Sequence, residues 1–390
     1  MRRLGRSRSG GAAARVPPRT PADAAPRAAA RPPVGTPPGP PQGPIATGPV
    51  TAWLLPLVVL LATLTVGFAF GLWERAWWAL LGLVFVCVVL LAQEIEPRVP
   101  LRSRGLYQRV LALGFPLALL LTWEWLAGSG ILNPRWFPPP SQIAVALWDL
   151  TVTYDRFNRS SLLGRPWLVP EMLAESGWAG VQALVGESHV WATLSRVLGG
   201  FAIGATPGVL VGMVMGLNRT VRMMLDTTMS AIYVLPKIAI FPILMLVFPN
   251  PFGEGPKIAV VAISAFFLVA ISTMAGVQGI DKVYLEAGRN FGASRAQMFR
   301  HVILPGALPI VFSGLRLALG TALIVIVAVE FVRADKGVGF LIFYYWQVLV
   351  TPRMYAALVV VMALGVGLTA LLQWLERRAM PWRRGGDGRG

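Results

Sequence analysis

Charge is what this chain has least of. Only 14% of its 390 residues are Asp, Glu, Lys or Arg, where a soluble globular protein carries about 25%. With 55% hydrophobic residues and a mean hydropathy of +0.62, too little polar surface exists to cover a water-soluble fold of this size. The composition excludes a soluble protein and implies a membrane one. Cysteine occurs once, as Cys87 in an apolar run, and histidine twice, as His189 and His301. No disulfide framework can be built from them, and no metal site is assigned. Catalytic motifs are missing as well. No phosphate loop Gly-x-x-x-x-Gly-Lys-Ser/Thr occurs, and FGEGPK at 252–257 has glycines and a lysine at the wrong spacing. Neither Gly-x-Ser-x-Gly nor His-Glu-x-x-His is present, so no catalytic residue is assigned and the chain is not read as an enzyme.

What remains is oil and positive charge. Apolar stretches of about 18 residues or more cross a ~30 Å hydrocarbon core. Eight candidates qualify: 52–72, 76–92, 110–126, 194–217, 228–248, 258–280, 308–329 and 355–375. The reading is an all-α, polytopic membrane helical bundle. Residues 1–50 hold eight Arg and one Asp among Pro, Ala and Gly, a composition expected to stay disordered; residues 385–390 form a short tail.

The net charge of +17, with 31 of 35 basic residues being Arg, could mean nucleic acid, anionic lipid or topology. Counting Lys and Arg in alternate loops decides, because cytoplasmic loops carry the excess. With the N-terminus inside, the inner segments hold 23 and the outer ones 9. Both termini are therefore expected in the cytoplasm, and nucleic acid is not expected as a partner. Trp53, Trp73, Trp77, Trp78, Trp123, Trp125, Trp374 and Trp382 fall near span ends, where amphipathic rings settle at the lipid headgroups.

Two patterns stand out. Gly200, Gly204, Gly208, Gly212 and Gly216 recur every fourth residue. Small residues at this spacing let another backbone approach closely, either inside one subunit or on a sliding or subunit-facing surface. The second pattern is the hydrophilic segment 281–306, DKVYLEAGRNFGASRAQMFRHVILPG. Asp281 is a fitting N-cap, and Tyr284, Ala287, Gly288 and Phe291 trace one face of a short helix. Gly292 suits a left-handed C-cap, and Ser294 with Gln297 makes a capping box for a second short helix ending near Pro305. Helices this short are marginal alone in water, so the loop needs a partner surface: a soluble subunit or the protein's own base.

At this loop the residues resemble the membrane subunits of bacterial binding-protein-dependent ATP-binding-cassette importers. That family's signature reads Glu-Ala-Ala, three residues, Gly, nine residues, Ile, one residue, Leu-Pro. Glu286, Ala287, Gly292, Leu304 and Pro305 match it, while Gly288 replaces the second Ala and Val302 the Ile. Further stretches, including PPPSQIAVAL, TLSRVLGGFAIG, LPKIAIFPIL, SGLRLALGTA and VAVEF, are similar to the branch handling nitrate, sulfonates, taurine, bicarbonate and thiamine-precursor pyrimidines. The resemblance covers roughly 109–384. It implies a six-helix permease core, paired in the membrane as a homodimer or heterodimer, and an external solute-binding protein. It also implies that Glu286 to Pro305 dock as a coupling helix on a separate ATP-binding subunit, which would hold the ATP and magnesium; no cofactor is assigned to this chain. Outside the pattern stand an N-terminal transmembrane hairpin (51–93) and an outer-loop insertion (151–188), which is either lineage decoration or part of the binding-protein contact.

Charged residues inside spans cost ~2.5–3.5 kcal/mol at the helix centre and default to functional hypotheses. Lys237, Arg316 and Glu330 qualify as pathway candidates, their alternative being structural ion pairs or snorkelling side chains. The competing class is an ion-coupled secondary transporter using those same three groups.

Overall fold

The computed structural model describes residues 54–72, 76–155 and 159–382. The expected disordered arm and the C-terminal tail lie outside them. The chain divides into two compact units, residues 1–104 and 105–390, each taken by itself.

In the first unit, α1 (Leu54–Ala69) packs along α2 (Trp77–Ile95). Both are apolar around most of their circumference and leave Leu55, Leu61, Phe85 and Val86 exposed, which suits a helix pair solvated by lipid. The helix from Trp77 runs on to Arg98 and is long enough to cross a membrane. The first helix is not: its 16 residues reach about 24 Å at 1.5 Å per residue. The expected span 52–72 is cut short because the chain turns at Phe70 and Gly71, and Gly71 takes φ +61, a conformation that costs glycine nothing.

The second unit is built on α3 (Leu101–Gly128), α6 (His189–Leu217), α9 (Glu254–Gln278), α12 (Leu304–Val332) and α14 (Thr351–Ala379), each long and apolar enough to span. Beside them, α7 (Arg219–Val234) and α8 (Lys237–Val247) are together long and apolar enough for a further span but are bent by 98°, the geometry of a broken span or a re-entrant loop. The expected continuous span 228–248 is therefore broken. Pro236 lacks an N–H, and a residue before proline is pushed out of the helical region; Leu235 duly takes ψ 136.

The centre of the bundle is a slab of three helices, with α6 and α12 flanking α9. Every glycine of the ladder faces α9. A methyl at Gly204 or Gly212 would collide with the carbonyl of Ala262 or Ala270, and one at Gly208 would lie 2.9 Å from the Phe266 carbonyl oxygen. Close approach within one chain is what these glycines permit. Buried Val197, Val261, Leu319, Ile326 and Val329 fill the slab. A second apolar cluster joins α4 (Pro140–Val152), α13 (Val338–Gln347) and the start of α14 through Ile143, Leu150, Val338, Ile342 and Ala356. Trp123, expected only as an interfacial anchor, packs against this cluster with its ring 5.7 Å from Tyr355.

Between α4 and α6, the expected insertion forms β1 (Tyr154–Asp155) antiparallel to β2 (Ser160–Ser161), then α5 (Val169–Glu187), which kinks at Gly177. Trp167 and Trp178 stand exposed on it.

Candidate functional site

Two regions gather the functional residues, one at each end of α12. At its start lies the 281–306 segment. The Asp281 carboxylate accepts from the Val283 N–H at 3.0 Å and opens α10 (Lys282–Asn290). Gly292 takes φ +71 and turns the chain. The Ser294–Gln297 capping box closes as expected and starts α11 (Arg295–Met298). Here the structure departs from expectation. The second helix does not stop at Pro305; it passes through a π turn at Phe299–Ile303 directly into α12. Pro305 thus lies inside a continuous helix, directly after the π turn, and its missing N–H removes one helical hydrogen bond there.

The expected apolar face also divides. Gly288 turns inward, where a methyl would lie 2.8 Å from Met298 Cε and 3.5 Å from Val302. The family's second Ala would fit here only with a shift of the flexible Met298 tip, and Gly288 and Val302, the two departures from the signature, lie close together. Tyr284 and Phe291 turn outward, Phe291 being 90% exposed. Glu286 is exposed and makes no ion pair among the described residues, so it does not hold the loop together from within. Ala287 is half-buried, and Leu304 wedges into the cluster of Met213, Val277, Ala307 and Val311. That contact ties the loop to α6, α9 and α12 at once.

At the far end of α12 lies a cluster that sequence reasoning largely missed. Arg196 of α6, 5% exposed, donates from Nη1 to Glu330 Oε1 at 2.6 Å and to the Lys336 carbonyl at 2.6 Å. Its Nε and Nη2 donate to Glu254 at 2.5 and 2.8 Å. Lys257 Nζ donates to Glu254 Oε1 at 3.2 Å. Glu330, fully buried, also accepts from Thr193 Oγ1 at 2.9 Å and from the Gly339 N–H at 2.9 Å. Thr193 Oγ1 in turn accepts from the Val338 N–H, and His189 Nδ1 from the Gly337 N–H. Gly337 takes φ +133 and lies so close to the Glu330 carboxyl that a side chain would collide with it. Four charges and four backbone groups thus pin α6, α9, α12 and α13 together. Buried charges persist only when paired and hydrogen-bonded in this way.

The three pathway candidates do not converge. Glu330 belongs to the cluster just described. Arg316 pairs with Glu376 of α14. Lys237 lies at the α7–α8 break, donating to the Tyr233 carbonyl with Nζ 4.4 Å from that ring. In the sequence Arg196 is a lone basic residue in the apolar stretch 194–217, and Glu254 and Lys257 belong to the FGEGPK stretch that fails as a phosphate loop. An unexplained Arg beside an acidic and a basic residue at another span's start was the available signal.

Comparison with known proteins follows the same lines. Residues 208–381 match the family described as binding-protein-dependent transport system inner membrane component. The taurine transport system permease protein TauC of Escherichia coli (strain K12) is 30% identical over 70% of this chain and 90% of its own length. The putative aliphatic sulfonates transport permease protein SsuC of the same organism is 30% identical over 70% of this chain and 92% of its own. The bicarbonate transport system permease protein CmpB of Synechococcus elongatus is 33% identical over 48% of this chain and 66% of its own. The spanning helices, the signature loop and the extent of these matches lead to one assignment: the chain belongs to the multi-pass inner-membrane permeases of binding-protein-dependent ATP-binding-cassette importers.

Proposed function

We propose that this permease carries a small oxyanion-bearing solute of the sulfonate, taurine or bicarbonate kind, delivered by an external binding protein and driven by ATP hydrolysis on a separate subunit. The observation that carries the coupling half is the 281–306 loop. It presents Tyr284, Phe291 and Glu286 outward with nothing among the described residues to receive them, while Leu304 anchors its base in the three-helix slab. Short amphipathic helices of this size gain their stability from a partner surface. The ATP-binding subunit supplies that surface, with ATP and magnesium bound on it rather than on this chain. The basic excess in alternate loops supports a cytoplasmic location for the loop and both termini.

In this reading, closure of the ATPase subunits pushes on α10, and the push passes through Gly288, Met298 and Val302 into α12. The slab then tilts as a unit within a pair of permeases, homodimeric or heterodimeric, because glycine-to-backbone contacts along α6 and α9 leave no slack for internal shear. Lys237 and Arg316 remain candidate contacts for an anion on its path. Gly292→Val and a charge-reversed Glu286→Lys should each abolish substrate-stimulated ATPase activity while membrane insertion is retained. Co-purification tests the assembly: a stoichiometric ATP-binding subunit is expected. Uptake driven by an ion gradient with no such subunit would instead establish a secondary transporter.

A further inference from the structure

Beside the ion cluster is a cavity of about 400 Å³ lined by Trp191, Ser195, Phe252, Ile258 and Lys336 together with Arg196, Glu254 and Lys257. The charges around it are unequal in their freedom. Arg196 and Lys257 are each 5% exposed at the side chain, whereas Glu254 is 55% exposed. Arg196 already has a permanent, fully buried counter-ion in Glu330. Lys257 has one ion-pair partner among the described residues, and it is Glu254. The Glu254 carboxylate is gripped as a bound anion would be: one oxygen takes Arg196 Nε, and the other takes Arg196 Nη2 and Lys257 Nζ. A guanidinium presents this fork to any planar or tetrahedral oxyanion.

We propose that Arg196 and Lys257 form a binding seat for a small organic oxyanion, a sulfonate or carboxylate on a short apolar stem, and that Glu254 is its tethered, displaceable occupant. With Glu254 swung into water, Arg196, Lys257 and Lys336 remain around the seat against the carboxylates of Asp335 and Glu330, three cations to two anions. The net positive charge selects an anion and repels an amine. The fixed parts are buried and the replaceable part is wet, as a ligand-exchange site requires. Trp191, Phe252 and Ile258 supply an apolar wall for the stem, which distinguishes an alkanesulfonate from a bare inorganic ion. The seat also touches the Lys336 carbonyl, so exchange of its occupant reaches the 333–339 segment that begins α13.

The proposal goes beyond coupling and is read without any ATPase partner, so it stands or falls separately from the importer mechanism. The full chain in lipid nanodiscs is melted with increasing sodium propanesulfonate at fixed ionic strength. Glu254→Ala leaves the seat empty and should melt below the wild type; propanesulfonate should restore at least half of that loss saturably. The wild type, whose seat is filled, should need at least about tenfold more propanesulfonate for a comparable shift. Glu254→Ala combined with Lys257→Ala should show no recovery. If Glu254→Ala does not fold, the isosteric Glu254→Gln carries the same comparison. Equal responses in wild type and single variant, no response in either, or full recovery in the double variant would each overturn the proposal.

Discussion

The two ends of α12 handle charge in opposite ways. Leu304 and Glu330 are 26 positions apart, about 39 Å of helix, enough to pass from one membrane face to the other. At the Leu304 end, the charged residues Lys282, Glu286, Arg289, Arg295 and Arg300 stand exposed, with apolar Tyr284 and Phe291 between them. At the Glu330 end, Arg196, Lys257 and Glu330 are buried and satisfied by one another, by the half-exposed Glu254 and by the backbone. The first arrangement stabilises little by itself. The second holds four elements in register, and its breakage leaves an ion stranded in a dry place.

That contrast can be broken most severely at Arg196. Arg196→Met removes the shared partner of Glu254 and Glu330, and stranding a buried carboxylate costs ~3–5 kcal/mol. The expected outcome is a large drop in melting temperature in nanodiscs, with loss of folded protein at growth temperature; an unchanged melt would mean the cluster is ornamental. The slab between the two ends gives the next largest effect. Gly204→Val drives a branched side chain into the Ala262 carbonyl, and overpacking of this kind costs ~1–3 kcal/mol. Melting should fall moderately, and uptake should fall with it because α6 and α9 are forced apart. Phe291→Ala sharpens the comparison from the other side. Exposed substitutions stay within ~0.5 kcal/mol, so melting should hold while substrate-stimulated ATPase activity is lost. If Phe291→Ala melted as low as Arg196→Met, the loop would be part of the core and the contrast would fail.

The exposed end was legible residue by residue. Asp281, Gly292, Ser294 and Gln297 act through hydrogen bonds and dihedral angles set by their immediate neighbours, and each sits where local chemistry puts it. What sequence misjudged there was Pro305: the π turn at Phe299–Ile303 joins the loop to α12, and helix continuity across a proline depends on geometry several residues upstream. The face of α10 was misread for a related reason. Whether Tyr284 or Gly288 points inward depends on where Met298 lies, and only the fold brings Met298 there.

The sequence by itself determined that this chain spans a membrane, roughly how many times, and which residues cap the short helices of the 281–306 loop. These follow from local hydropathy and capping. Only the tertiary structure decided that the glycine ladder faces α9, that span 228–248 bends by 98°, and that Arg196, Glu254, Lys257 and Glu330 form one cluster. Arg196 and Glu330 are 134 positions apart. Pairing at such separation leaves no periodic trace in sequence, because a buried ion is tolerated only when packing delivers its partner.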